Sequence, residues 1–409
     1  MLNNKNTDYA TKYKILKGCT LYNFRLENPF KQLEGPRGIT PSSTLTDMKY
    51  YVCTTGNVVD VVVAPSEPDP EPAPGPAPGP APPLPIQYSV TTIAGSFPGF
   101  NNAIGELATF ASPFGVVLTS TSNIVVTDTD NHRIRLITPD SNVTTLAGGD
   151  QGFADGTGNS ANFRRVRGIA VISNSNFVVA DTFNNRIRLV TPQGVVTTIA
   201  GSNQGFSNDT GTAARFDTPY GVAVFPNSNI VVADRNNNRI RLVTPQGVVT
   251  TIAGNGIPDF VNDIGTTARF HLPSGVAVLS NGNIVVADTN NHRIRLITPN
   301  SNVTTLAGSN QGFSNGTGTA ARFNEPRGIA VLSNGNIIVA DSGNHSIRLV
   351  TPEGVVTTIA GSNGGFANGI GIAASFSNPQ GVTVYPNGNI VVADSGNNRI
   401  RQISIVTSV

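Results

Sequence analysis

At 409 residues the chain has room for one large domain and a smaller segment beside it. A formal net charge of +2, with only 13% of residues charged, excludes a bulk field strong enough to steer it to nucleic acid or a membrane surface. The opening MLNNKNTDYATKYK lacks the apolar core of a secretory leader, and no apolar run is long enough to span a bilayer, so neither a standard leader nor a membrane span is expected.

Residues 1–64 form a first region, with aromatic and β-rich runs at Lys49–Thr54 and Asn57–Val63. It holds all six lysines and both cysteines, Cys19 and Cys53, whose bridged or free state the spacing leaves open. A segment this short is marginal as an independent core. Two readings stand: a small β module, tied or not by Cys19–Cys53, or a docking segment completed by a partner or by self-association. Residues 65–87 follow as a stalk. Eleven prolines in the twenty-one positions from Pro65 to Pro85 predict a polyproline II spacer, which at roughly 3.1 Å per residue reaches about 65 Å.

From residue 88 onward one pattern recurs six times. Its phase is set by the Asp that closes each N-I-V-V-A-D run: Asp128, Asp181, Asp234, Asp288, Asp341 and Asp394, at spacings of 53, 53, 54, 53 and 53 residues. A fixed period of this size indicates a solenoid or a propeller. Each copy holds four short apolar, β-branched runs separated by turn signals; in the fifth copy these are Gly328–Leu332, Asn336–Ala340, Ser346–Val350 and Val355–Ala360. The second run is continuously apolar, as expected of a strand buried on both faces. Four such strands make one propeller blade. Six copies carry the first three strands, but only five V-T-T-[IL]-A-G runs follow a complete copy, while a sixth, Val90–Gly95, precedes the first. The N-terminal run is therefore expected as the outer strand of the last blade, latching the ring and removing two open edges. The predicted fold class is all-β: a six-bladed β-propeller over residues 88–409.

The motifs P-x-G-[IV]-A-V, N-[IF]-x-V-[AT]-D-x-x-N-[HN]-x-I-R and V-T-T-x-A-G resemble the NHL repeat family of six-bladed propellers. Asn131-His132, Asn291-His292 and Asn344-His345 stand where that family carries Asn-His; the other blades have Asn-Asn. The resemblance covers the propeller and leaves residues 1–87 unexplained. It admits animal RNA binders and propeller lyases or hydrolases. A lysine-free head with few aromatics argues against nucleic acid as a partner, and no unique His and carboxylate set marks an active site.

The repeated Asp-Asn-His/Asn-Arg cluster is read as structural, since a catalytic or metal group needs unique residues converging on one pocket. The R-I-R pairs, eleven of the nineteen propeller arginines, belong to the repeat in the same way. Asp155–Gly158 has the look of a calcium loop, but its counterparts carry Asn or no acid. Asp217, His271 and Glu325 are the blade-specific titratable groups near the inner strand starts.

The x of P-x-G differs from blade to blade: Phe114, Arg167, Tyr220, Ser274, Arg327 and Gln380. These six are the candidate ligand-binding residues, expected to ring the mouth of the central channel. Arg167 and Arg327 fall on opposite blades, and Arg164, Arg165, Arg215, Arg235, Arg269 and Arg322 add positive charge on the same face. The expected function is a non-enzymatic binding head for protein or glycan, without a cofactor or metal, displayed from a cell or virion surface. The alternatives are an architectural or fibre component of a virus particle, and a propeller lyase or hydrolase.

Overall fold

The computed structural model describes residues 86–172 and 175–406, and the backbone of two strands nearer the N-terminus. The chain divides into two units, Met1–Pro83 and Leu84–Val409. In the first, Cys19–Arg25 pairs antiparallel with Asp47–Cys53, in a register that sets Cys19 opposite Cys53 and Arg25 opposite Asp47. The expected run at Asn57–Val63, the proline stalk and the cysteine side chains lie outside the described residues.

The second unit is a six-bladed propeller. Blade five is representative: Pro326–Val331, Ile337–Asp341, Ser346–Val350 and Val355–Ala360 run antiparallel from the axis outward. The second strand is buried along its whole length in every blade, because a neighbouring blade covers each face. The expected latch is present. Gln87–Ala94 pairs with Arg399–Val406, with Val90 opposite Ile403 and Ala94 opposite Ile400, so the first strand of the propeller completes the last blade.

Two features were not legible in the strand pattern. Blades two, five and six gain a short fifth strand (Gly156–Thr157, Gly316–Thr317, Gly369–Ile370) laid on the outer strand. Each inner-face turn is tightened as well; in five blades it is assigned as a single 3-10 turn, such as Thr129–Asn131. Both come from backbone hydrogen bonds of glycine-rich and Asn-rich loops, which leave no apolar periodicity to read.

Six apolar clusters hold the ring, each made from facing sheets of two neighbours. Blade six contributes Val391, Ala393 and Ile400 to the cluster that takes Val116, Ile124 and Val126 from blade one. The Phe that begins each copy (Phe110, Phe163, Phe216, Phe270, Phe323, Phe376) is fully buried in these seams. Burying such a ring is worth about 1.5–3 kcal/mol.

At the axis, the P-x-G glycine allows the inner strands to touch. A Cβ on Gly168 would lie 2.1 Å from the Tyr220 carbonyl oxygen of the next blade, and one on Gly381 would lie 2.2 Å from that of Phe114 across the closure. All six glycines meet their neighbour this way, between 1.9 and 2.3 Å. The ring of backbone contacts fixes where the preceding residue of each blade stands.

Candidate functional site: the channel mouth

The loop-rich face is built by repeated polar networks. In blade one, Asp128 accepts the Ala111 backbone N–H at 2.7 Å through Oδ1, and through Oδ2 the Asn131 side chain at 2.8 Å and Arg135 at 2.6 Å. Arg135 also donates to the carbonyls of Thr109 and Asn101 and to the Asn102 side chain, tying the long loop down. A β-bulge between Ile134 and Arg135 turns that guanidinium into the blade, where it is fully buried. The same set repeats in all six blades, as with Asp394, Asn397 and Arg401. Desolvation pushes Asp181, Asp234 and Asp341 up to about 6 against the pull of their arginines and hydrogen-bond donors. The first arginine of each R-I-R pair stacks instead on a loop phenylalanine, Arg186 on Phe153 at 3.8 Å and Arg239 on Phe206 at 3.9 Å. Asp155, the calcium-loop candidate, is committed to Arg188 at 2.7 Å and to Thr198.

The His or Asn of the motif has a purpose the sequence did not disclose. It adopts the left-handed conformation (φ 58° at His132) and accepts a backbone N–H from the next blade. Arg165 donates to His132 Nδ1 at 3.2 Å, Thr218 to Asn185 Oδ1 at 2.9 Å, and Glu325 to His292 Nδ1 at 3.2 Å. Imidazole and carboxamide serve alike because each offers one acceptor at that place. The three histidines thus sit in separate seams. Among the described residues, no group of three or more His, Cys, Asp or Glu is placed to hold a metal ion.

The six P-x-G residues border two connected spaces on the axis. Phe114, Tyr220, Ser274 and Arg327 line a throat of about 70 Å³, continued by apolar residues such as Val116, Ile169 and Val222. Above it, Phe114, Arg167, Tyr220, Arg327 and Gln380 border a polar recess of about 190 Å³ with Ser112, Thr129, Asp130, Arg165, Asn378 and Ser395. A third, larger hollow of about 470 Å³ lies at the far ends of the inner strands of blades two to four, lined by apolar side chains such as Val171, Val224 and Leu279.

The mouth is lopsided. Phe114 and Tyr220 meet edge to face with centroids 4.9 Å apart, across the intervening blade. Arg167, from that blade, lies 4.5 Å from the Tyr220 ring centre and 5.6 Å from that of Phe114. Ser274 and Gln380 are buried, each bonded to a carbonyl two residues earlier in its own chain.

The expected symmetric pair of Arg167 and Arg327 is not equivalent. Arg327 donates to Glu325 at 2.7 Å and to Gln380 at 3.0 Å, so its charge is met. Arg165 pairs with Asp130 at 3.1 Å and Arg269 with Asp259 at 2.9 Å. Asp217 is engaged by Gln204, Thr218 and Asn236.

Among the described residues Arg167 has no carboxylate partner, and its pKa is lowered by burial. Neither has Arg235, which lies 5.0 Å from the Tyr220 ring centre and is likewise lowered by burial. Arg235 was visible in the sequence only as one more charge, but a sharper signal was available. The residue after the repeat Asp is Thr or Ser in the other five blades, and in four of them its hydroxyl donates to a carbonyl of the next blade, as Thr129 does to Val166 and Thr289 to Pro326, both at 2.8 Å. Blade three gives up that seam bond and places an arginine at the mouth.

Closed sheets around an axial channel, with every elaborated loop on one face, define a six-bladed β-propeller. The repeat model named NHL matches residues 216–241, 270–295, 323–348 and 376–403. With the six in-phase blades, this makes the chain an NHL-repeat six-bladed propeller. Among curated relatives it is 29% identical over 281 residues to the chloroplastic protein SUPPRESSOR OF QUENCHING 1 of Arabidopsis thaliana, covering 63% of this chain and 26% of that protein. It is also 29% identical over 310 residues to NHL repeat-containing protein 2 of Homo sapiens, covering 66% of this chain and 42% of that one. The chain thus spans less than half the length of these relatives. Among solved structures, an auxiliary nutrient binding protein from Bacteroides thetaiotaomicron aligns with a TM-score of 0.60 at 17% identity, over 78% of this chain and 77% of that one. A streptogramin B lyase aligns with a TM-score of 0.50 at 14% identity, over 78% of this chain and 98% of that one. These likenesses extend to the fold alone.

Proposed function

We propose that the propeller is a non-enzymatic recognition head that takes a protein or glycan ligand at the channel mouth, carried on the proline-rich stalk of residues 65–87 from the segment of residues 1–64. One observation carries the reading. The six blades repeat the same His or Asn seam bond, buried ion pair and axial glycine contact, while the side chains at the x of P-x-G differ from blade to blade and take little part in that scaffold. Variation confined to a rigid rim is the arrangement of a binding surface. The test is binding of the full chain to a glycan array and to a panel of extracellular proteins, beside a Ser274→Tyr/Gln380→Tyr variant. That variant fills the mouth with the side chain blade three already carries. Saturable binding that drops at least tenfold in the variant is the expected result; binding unchanged by the filled mouth, or none to any surface, overturns the proposal.

A further inference from the structure

We propose that Arg167 and Arg235, with Tyr220 between them in sequence and in contact with both, form a clamp for the carboxylate of an acidic sugar. This deepens the reading above and rests on it for the location of the ligand.

The argument begins from charge accounting at the mouth. Of the cations there, Arg165 is paired with Asp130 and Arg327 with Glu325 and Gln380. The side chains of Arg167 and Arg235 make no hydrogen bond and no ion pair with any described residue, and the Nε of each is buried without a partner. A guanidinium half-removed from water keeps five donors. The rings of Tyr220, Phe114 and Phe183 offset part of the lost hydration through their faces, but a ring face accepts none of those donors in the directional way a carboxylate does. The Tyr220 hydroxyl is also without a hydrogen bond to a described residue. Three sets of donors around the Tyr220 ring are therefore left unsatisfied by any described residue.

Symmetry supplies the second observation. At position 235 the repeat has a neutral solution, the Thr or Ser that makes the seam bond in four of the other five blades. A blade that abandons a stabilising local choice without a compensating contact marks a functional position. Position 167 has neutral counterparts in Ser274 and Gln380, both satisfied within their own blade.

The neighbouring recess identifies the rest of the ligand. At about 190 Å³ it is smaller than the roughly 300–1,000 Å³ of pockets for drug-sized molecules, so it admits one residue-sized group. Its rim mixes hydroxyls (Ser112, Thr129, Ser395), amides (Asn378, Gln380) and the Asp130 carboxylate. The three hydroxyls already donate, to Asp130, Val166 and Pro113, so the rim is rich in acceptors and matches the donating hydroxyls of a pyranose. It is a poor match for the aliphatic stem of an Asp or Glu on a protein loop.

The repeat also supplies the variants, since Arg235→Thr and Arg167→Gln install residues other blades carry at the same places. Arg235→Thr is expected to fold with an unchanged or higher Tm. The experiment is a calorimetric titration of the full chain with glucuronate and, separately, with glucose, acetate and inorganic phosphate. Glucuronate binding at least tenfold tighter than glucose, acetate or phosphate, reduced at least tenfold by either variant with Tm retained, is the expected result. Glucuronate binding that both folded variants retain, or binding no tighter than that of acetate or phosphate, overturns the clamp. So does silence toward glucuronate. The two proposals fail separately. If the array ligand proves to be a protein or neutral glycan and glucuronate is ignored, the clamp falls and the recognition head stands. If glucuronate binds as described but no glycan or protein surface does, the clamp stands and the head reading falls.

Discussion

The Ser112 backbone N–H donates to the Asn398 side chain at 2.9 Å, so the cap of the last blade holds the first turn of blade one. The pair spans 286 residues and closes a circle of six such bonds. Asn398→Ala removes the acceptor from a sheltered N–H and places alanine in a left-handed backbone at φ 55°. A loss of about 1–3 kcal/mol is expected in denaturant unfolding. Asn398→His, the choice of three other blades, should recover most of it.

The same bonds give the ring a pH dependence. Burial holds His132 and His292 below the usual histidine range, with Asp130 and Glu325 pulling the other way and Arg165 and Arg293 adding to the depression. Nδ1 must stay unprotonated to accept. A depressed folded pKa means the unfolded chain binds more protons, so this contribution is fully present above about 6.5 and lost as pH falls through the folded values. Asp181, Asp234 and Asp341, raised to about 6, act in the opposite sense: their contribution is full below about 3.9 and lost as pH rises through about 6. The histidine effect is therefore read as a difference. Between pH 7.5 and 5.5 the Tm of the parent should fall relative to that of a His132→Asn/His292→Asn variant, which keeps the acceptors without the titration. Parallel curves would refute this role.

Asp181 and Arg188 test the buried pairs. Both side chains are fully buried and 2.7 Å apart. Asp181→Asn leaves the guanidinium charge without its counterion and should cost about 3–5 kcal/mol. Asp259→Asn, at the exposed pair with Arg269, should leave the unfolding midpoint almost unmoved.

The axial glycines set the geometry of the mouth. Gly221→Ala would drive a Cβ to 2.2 Å from the Ser274 carbonyl oxygen, a contact relieved only by moving backbone. A loss of about 3 kcal/mol or more is expected, at the upper end of overpacking effects. At Gly152 the nearest atom to an added Cβ is 3.9 Å away, and Gly152→Ala should behave like the parent.

The chain by itself determined the number of blades, the strand runs and the latch. Strand patterning and turn chemistry are local, and six in-phase repetitions multiply a signal that one copy gives faintly. It also set apart Phe114, Arg167, Tyr220, Ser274, Arg327 and Gln380, because they vary inside an otherwise constant motif. Only the tertiary structure decided what those residues are free to do. Arg167 and Arg327 look alike in sequence, yet Glu325 neutralises one and Gln380 accepts a hydrogen bond from it, while the other is left against Tyr220 and Phe114. Arg235 joins it from another turn of the same face. What a side chain at the mouth meets depends on residues brought together from blades some fifty residues apart, as Arg327 meets Gln380 and Arg167 meets Phe114 and Tyr220, and a linear period carries no record of that distance.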